Sequence, residues 1–226
     1  MNGHRRIKRD IIEVGHWLWE KGFVASNDGN ISVRTGPDEI WTTPTGVSKG
    51  FMTPDMIIRV DTEGKPLDLK AKYRASSELK MHLRVYRERP DVKAVVHTHP
   101  PFATSFAVAG IPLDHFAMPE AVQVLGAVGI APYGTPSTEQ IPDSIAPFIR
   151  RSDAVLLANH GALTLGGSLM EAYFKMETLE HSARIVFQAL QLGNLNRLPP
   201  EEIDRLMELR EKFKMPGRVA RSVRDF

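Results

Sequence analysis

His97 and His99 stand two apart at the end of an apolar run, Val92-Lys93-Ala94-Val95-Val96, and Pro100-Pro101 follows them. The run predicts a buried strand. On a strand, residues i and i+2 project from the same face. Two imidazoles then leave one strand side by side, an arrangement that chelates a metal ion. A second strand-like run, Asp153 to Asn159, ends in His160-Gly161. Three histidines at the ends of two buried strands predict an open zinc site with three imidazole ligands and one position left for substrate. Any one of them alone reads as a structural residue; the joint pattern points to a metal. Zinc is preferred because no redox motif accompanies the set, although imidazole suits several divalent transition metals. The chain has no cysteine, so thiolate ligands and disulfides are excluded together. His4, His16, His82, His115 and His181 read as surface or hydrogen-bonded residues.

Two further segments carry chemistry. Ser76-Ser77-Glu78 stands at a predicted helix start, where hydroxyls and free backbone N–H groups can meet an anion. Glu78 in a first turn suits the helix dipole; beside a metal it becomes a candidate general base. His82 shares its helix face one turn on and reads as packing. Gly29-Asn30 and Thr45-Gly46 read either as two ordinary turns or as loops whose amides approach a phosphate. Neither matches a Walker loop or a GxGxxG fingerprint, so nucleotide binding has no support. Lys49 can neutralise an anion, but reads first as an exposed loop lysine.

The elements that must hold these residues follow from periodicity. Ile7 to Lys21 predicts an amphipathic helix, with Trp17 and Trp19 as packing residues. Strands are predicted at Ile31–Arg34, Glu39–Thr43 and Ile57–Asp61, and a helix at Ser76–Arg89 capped by Ser76 or Ser77. After the strand of His97 come a helix-like Pro101–Ala109, short strands near Leu113–Met118 and Val128–Pro132, and a helix over Glu139–Arg151. Ser168 starts a long helix reaching about Leu192, Glu201–Lys214 forms a last one, and the tail beyond Pro216 reads as mobile. Short strands interleaved with long helices predict one α/β or α+β domain.

Composition is that of an ordinary globular chain: 226 residues, 42% hydrophobic, 25% charged, net charge +2. So small and dispersed an excess argues against nucleic acid or membrane partners. The basic residues near the ends, Arg5, Arg6, Lys8, Arg9, Arg218, Arg221 and Arg224, read as solvated termini. No apolar stretch spans a bilayer and no signal core follows the basic start, so the expected location is cytoplasmic.

Taken in order, Gly29-Asn30-Ile31-Ser32, Thr43-Pro44-Thr45-Gly46, Ser76-Ser77-Glu78, His97-Thr98-His99 and Asn159-His160-Gly161 resemble the class II aldolase/adducin-head family. The resemblance covers about residues 7–192 and is nearest to the L-fuculose-1-phosphate aldolase group. It implies a three-layer α/β/α fold with a central, mainly antiparallel sheet. Residues 1–226 would form a single domain of this type, with a C-terminal helix and tail over 200–226. It also implies a homotetramer with active sites between subunits. His97, His99 and His160 would bind one zinc per subunit, Glu78 would be the acid/base and a further ligand when substrate is absent. Asn30, Thr45, Gly46, Ser76 and Ser77 would bind the substrate phosphate. The implied reaction is cleavage of a ketose-1-phosphate to dihydroxyacetone phosphate and an aldehyde. The alternatives within the family are a 3-oxo-acid phosphate decarboxylase, a methylthioribulose-phosphate-type dehydratase, a 4-epimerase, or a non-catalytic adducin-like interaction module. The epimerases have Asp where this chain has Glu78, which favours the aldolase. Where fuculose-phosphate aldolases have a proton-donating tyrosine from a neighbouring subunit, this chain has Phe116, with His115 and Tyr133 as candidate substitutes.

Overall fold

The computed structural model describes residues 3–68 and 72–226. In chain order the elements are α1 (Gly3–Glu20), β1 (Asn30–Gly36), β2 (Glu39–Thr42), β3 (Ile58–Val60), α2 (Leu79–Glu88), β4 (Ala94–Thr98) and α3 (Pro101–Ala109). Then follow α4 (Pro119–Val124), β5 (Ile130–Ala131), α5 (Gln140–Ile149), β6 (Ala154–Leu157), β7 (Gly161–Gly166), α6 (Leu169–Gln191) and α7 (Pro200–Lys212). The strands form one seven-stranded sheet in the order β3-β2-β1-β4-β7-β6-β5. Every neighbouring pair is antiparallel except β5 with β6.

The period of two in the central strands sorts their side chains onto two apolar layers. Ile31, Val33, Ala94, Val96 and Leu156 face α1, α3 and α6, packing with Ile11, Val14, Leu18, Phe106, Met176 and Leu179. Val95, Val155, Leu163 and Leu165 face α2 and α5, packing with Met81, Val85, Ile145 and Ile149. A strand covered on both faces reads as a continuous apolar run, and β4 is buried at every position. The fold is therefore the three-layer α/β/α arrangement expected from the sequence. Among the described residues no helix is long and apolar enough to cross a membrane.

Four expectations are corrected. The helix predicted from Ser76 begins at Leu79, because Glu78 takes the cap position with φ −91° and ψ 5° and its carboxylate turns elsewhere. Leu113–Met118 is no strand: only Leu113 bridges, to Val128, and Phe116 at φ 44° turns the chain before Pro119 opens α4. Gly161–Gly166, not predicted as a strand, is the central β7, with Leu163 and Leu165 alternating onto one face. The tail is held. Phe226 stacks on Phe148 with ring centroids 4.8 Å apart, the Ala127 N–H donates to the Ala220 carbonyl at 2.9 Å, and the Arg218 N–H donates to Asp153 at 3.0 Å.

That last contact belongs to a buried ion cluster. Asp153 Oδ1 accepts from Arg89 at 2.8 Å and Oδ2 from Lys175 at 2.8 Å, and all three side chains are buried. Removing Asp153 leaves the buried cations Arg89 and Lys175 facing each other, with only the more exposed carboxylates of Asp91 and Glu171 as partners, so Asp153→Ala is expected to cost about 3–5 kcal/mol of stability. Chemical denaturation reads it directly, and a loss under 1 kcal/mol, about the worth of an exposed pair, would show the cluster to be idle.

Candidate active site

Register places the first two side chains. Asn30 of β1 pairs with His97 of β4, and both point to the layer that holds α2. His99 lies just past β4, its backbone N–H donating to the Phe23 carbonyl at 3.0 Å. After β6, Asn159 adopts a left-handed conformation at φ 55°, which asparagine tolerates, and turns His160 back over the end of β4. Gly161 permits the approach: a Cβ there would lie 2.5 Å from the Thr98 carbonyl oxygen and 2.6 Å from the His99 ring.

The structure thus brings His97, His99 and His160 together, with candidate ligand nitrogens all within 4.8 Å of one another. The far side of each strand histidine is engaged. His97 Nδ1 lies 2.9 Å from the Ala162 carbonyl and must carry the proton, and His99 Nδ1 lies 3.3 Å from Asp28. Those contacts fix the tautomers so that both Nε2 atoms present bare lone pairs. The two Nε2 atoms nevertheless face each other at 3.3 Å. Facing lone pairs repel unless a cation lies between them, so the donor set fits a divalent metal held by imidazole nitrogens. Burial pushes the His99 imidazole down to about 4, and any proton on the neighbouring His97 or His160 pushes it the same way, which keeps it neutral as a metal ligand would have to be.

Glu78 completes the cluster, with Oε1 3.0 Å from His160 Nε2 and Oε2 3.5 Å from His97 Nε2. The Asn30 amide donates to Oε2 at 2.9 Å. Burial pushes the Glu78 carboxyl up, but positive charge in the His97–His160 cluster, carried by protons on those rings when no metal is bound, outweighs it and holds the group below the usual carboxylate range. Glu78 is therefore an ionised carboxylate whose helix-dipole role is secondary: it makes no side-chain cap.

The remaining expected residues are also assembled. The segment before α2 runs beside the loop after β2: the Thr45 N–H donates to the Arg74 carbonyl at 2.9 Å, and Ser76 N lies 3.4 Å from the Thr43 carbonyl oxygen. Thr45, Gly46, Ser76 and Ser77 thereby fall on two strapped-together loops next to Glu78. Gly46 sits at φ 70°, the conformation that lets its loop turn. The Asn30 amide is engaged by Glu78, while its Oδ1 is buried without a partner.

Two residues were undervalued by sequence. Lys49 is not an exposed loop lysine but is 1% exposed, with Nζ donating to backbone carbonyls. His82 is fully buried behind Glu78; its Nδ1 lies 2.7 Å from Ser32 Oγ, which lies 2.8 Å from the Tyr86 hydroxyl. Burial pushes its imidazole down to about 3, so it is a neutral part of the wall. Its spacing from Glu78 was the available signal. Phe116 and Tyr133 are placed less closely. Phe116 accepts a hydrogen bond from the Leu198 N–H at 2.9 Å. Tyr133 is exposed and leaves β5 at the sheet edge where β6, its parallel neighbour, delivers His160.

Known proteins are similar in sequence and in fold. The family model of the class II aldolase and adducin N-terminal domain matches residues 9–187. The chain belongs to this family. An L-fuculose phosphate aldolase of Methanococcus vannielii is 35% identical over 177 residues, 78% of this chain and 93% of the relative. A 5-methylthioribulose-1-phosphate/5-deoxyribulose-1-phosphate aldolase of Rhodospirillum rubrum is 31% identical over 211 residues, 93% of this chain and 92% of the relative. A 3-oxo-tetronate 4-phosphate decarboxylase of Escherichia coli (strain K12) is 30% identical over 185 residues, 80% of this chain and 86% of the relative. A solved L-fuculose 1-phosphate aldolase superposes with a TM-score of 0.85 at 30% identity, covering 95% of this chain and all of the other. Family membership makes the chain an enzyme of the class II, metal-dependent aldehyde-lyase kind.

Proposed function

We propose that this class II aldolase cleaves a short ketose-1-phosphate, of the fuculose-phosphate type, to dihydroxyacetone phosphate and an aldehyde, with zinc as the metal. The observation that carries this reading is the pair of bare Nε2 atoms of His97 and His99, 3.3 Å apart, with the Glu78 carboxylate 3.5 Å from one of them. His97, His99 and His160 would hold the metal, and Glu78 would join them when substrate is absent. Zinc bound there supplies Lewis acidity toward the negative charge that develops as the carbon–carbon bond breaks.

The chain's own groups do the rest. Asn30, Thr45, Gly46, Ser76 and Ser77 would hold the phosphate, which fixes the distance from that anchor to the reacting carbons. Cleavage breaks the C3–C4 bond: the C4 hydroxyl loses its proton and becomes the aldehyde, and the bonding pair stays on the three-carbon fragment as an enediolate. Glu78, once it has taken up a proton from solvent, which in turn receives the C4 hydroxyl proton, delivers it to the enediolate carbon, giving dihydroxyacetone phosphate, and removes it in the synthetic direction. The Asn30 amide orients Glu78 for that transfer. Active sites between subunits of a homotetramer would let a neighbour supply the group that handles the aldehyde-side proton, since Phe116 offers none.

The decarboxylase reading has one specific support: a reaction releasing carbon dioxide has no departing aldehyde, so Phe116 costs it nothing. The experiment offers metal-loaded enzyme a panel of ketose-1-phosphates and 3-oxo-acid phosphates, with products read by mass spectrometry and size by light scattering. Dihydroxyacetone phosphate from a ketose-1-phosphate is the expected product, from a tetramer. Carbon dioxide release alone selects the decarboxylase. Full activity in metal-stripped protein would defeat both.

A further inference from the structure

Lys49 opens the short 3-10 turn Lys49–Phe51 that follows the Thr45-Gly46 loop, and its side chain is one of the largest fully buried ones among the described residues. Its ammonium donates to the Val47 carbonyl at 2.8 Å and to the Asn27 carbonyl at 2.8 Å. The first carbonyl follows Gly46 directly; the second lies three residues before Asn30. One cation thus ties together the two loops that carry Asn30, Thr45 and Gly46.

Among the described residues it has no carboxylate of its own. Asp28 and Glu78 attract its charge, but both are committed to histidines, Asp28 to His99 at 3.3 Å and Glu78 to His160 at 3.0 Å. Burial pushes Lys49 down to about 8, so it remains charged at neutral pH. A buried ammonium bonded only to neutral carbonyls is electrostatically incomplete, and an anion nearby completes it. The backbone here supplies the anchoring, and the neighbouring cradle of polar groups is where an anion can come.

We propose that Lys49 is a positioning residue for the substrate anion: its buried ammonium sets the spacing of the two loops and gives the phosphate cradle a fixed positive charge. The inference rests on reading Asn30, Thr45 and Gly46 as a phosphate site. Lys49 need not touch the phosphate; it acts through the two carbonyls and through its field.

The test uses the zinc-loaded, full-length enzyme and inorganic phosphate as a competitive inhibitor. For Lys49→Met, the phosphate inhibition constant and the substrate KM are expected to rise together by about tenfold to a hundredfold, the worth of charge-assisted hydrogen bonds, while kcat falls much less. Lys49→Arg, which keeps the charge, should recover most of the loss, and metal content should stay at the wild-type level in both. An unchanged phosphate inhibition constant in Lys49→Met would overturn the inference and leave the phosphate pocket standing. If phosphate fails to compete in the wild-type enzyme, the pocket reading falls and takes the inference with it. Should Lys49→Met not fold, Lys49→Gln and Lys49→Arg carry the same comparison. If none of the three folds, Lys49 belongs to the fold and not to the anion site.

Discussion

Replacing His97 with alanine is expected to remove both bound metal and turnover, with kcat/KM falling at least about a thousandfold, since a Lewis acid contributes several kcal/mol to the transition state. The physical case rests on burial and register. His97 is fully buried, its Nδ1 is fixed by the Ala162 carbonyl, and its Nε2 is the one atom that faces both His99 and Glu78. Alanine leaves two imidazoles with only the Glu78 carboxylate, which the reaction needs, as a third candidate ligand, and takes the imidazole from the Ala162 carbonyl. Metal content by elemental analysis, together with turnover after zinc addition, decides the matter. A variant that keeps one metal per chain and wild-type turnover would show that the histidines are structural. A chelator-stripped wild type serves as the comparison, because it loses the metal while keeping the buried hydrogen bond to Ala162.

Glu78→Gln separates proton transfer from metal binding. Glutamine keeps the shape of the side chain and can still accept from the Asn30 amide through its carbonyl oxygen, as Glu78 does at 2.9 Å. It cannot take up a proton. The expected result is bound metal close to wild type, since three imidazoles remain, with kcat lowered by about a hundredfold to ten-thousandfold, the usual worth of a positioned general base. A second readout makes the role specific. In deuterated water the wild-type enzyme should exchange the proton on the reacting carbon of dihydroxyacetone phosphate without any aldehyde present, and Glu78→Gln should not. Exchange at the wild-type rate in the variant would take the acid/base role away from Glu78 and leave it a metal ligand alone.

The two predictions differ in how visible their residues are in the chain. His97 and His99 are two apart on an apolar run, and strand geometry alone sends them to one face. His160 was legible because it ends a second such run. Glu78 was legible with two roles open, a first-turn acid serving the helix dipole or a general base beside a metal, and the structure puts it at the cap, where its carboxylate reaches the histidines. Lys49 was misjudged because burial of a lysine depends on what lies over it, here two loops separated in sequence from each other. The tail was misjudged for the same reason. Asp153, which receives it, stands 65 residues before Arg218.

Local information therefore determined most of the elements, their buried faces and which side chains are candidates to bind a metal, because periodicity, glycine turns and donor chemistry are properties of short stretches. The tertiary structure decided the pairings: Asn30 beside His97, Glu78 over His97 and His160, and the Thr45 loop strapped to the segment before Ser76. Those depend on sheet register and on layers closing over one another, and their energy is realised only when distant segments share one low-dielectric space.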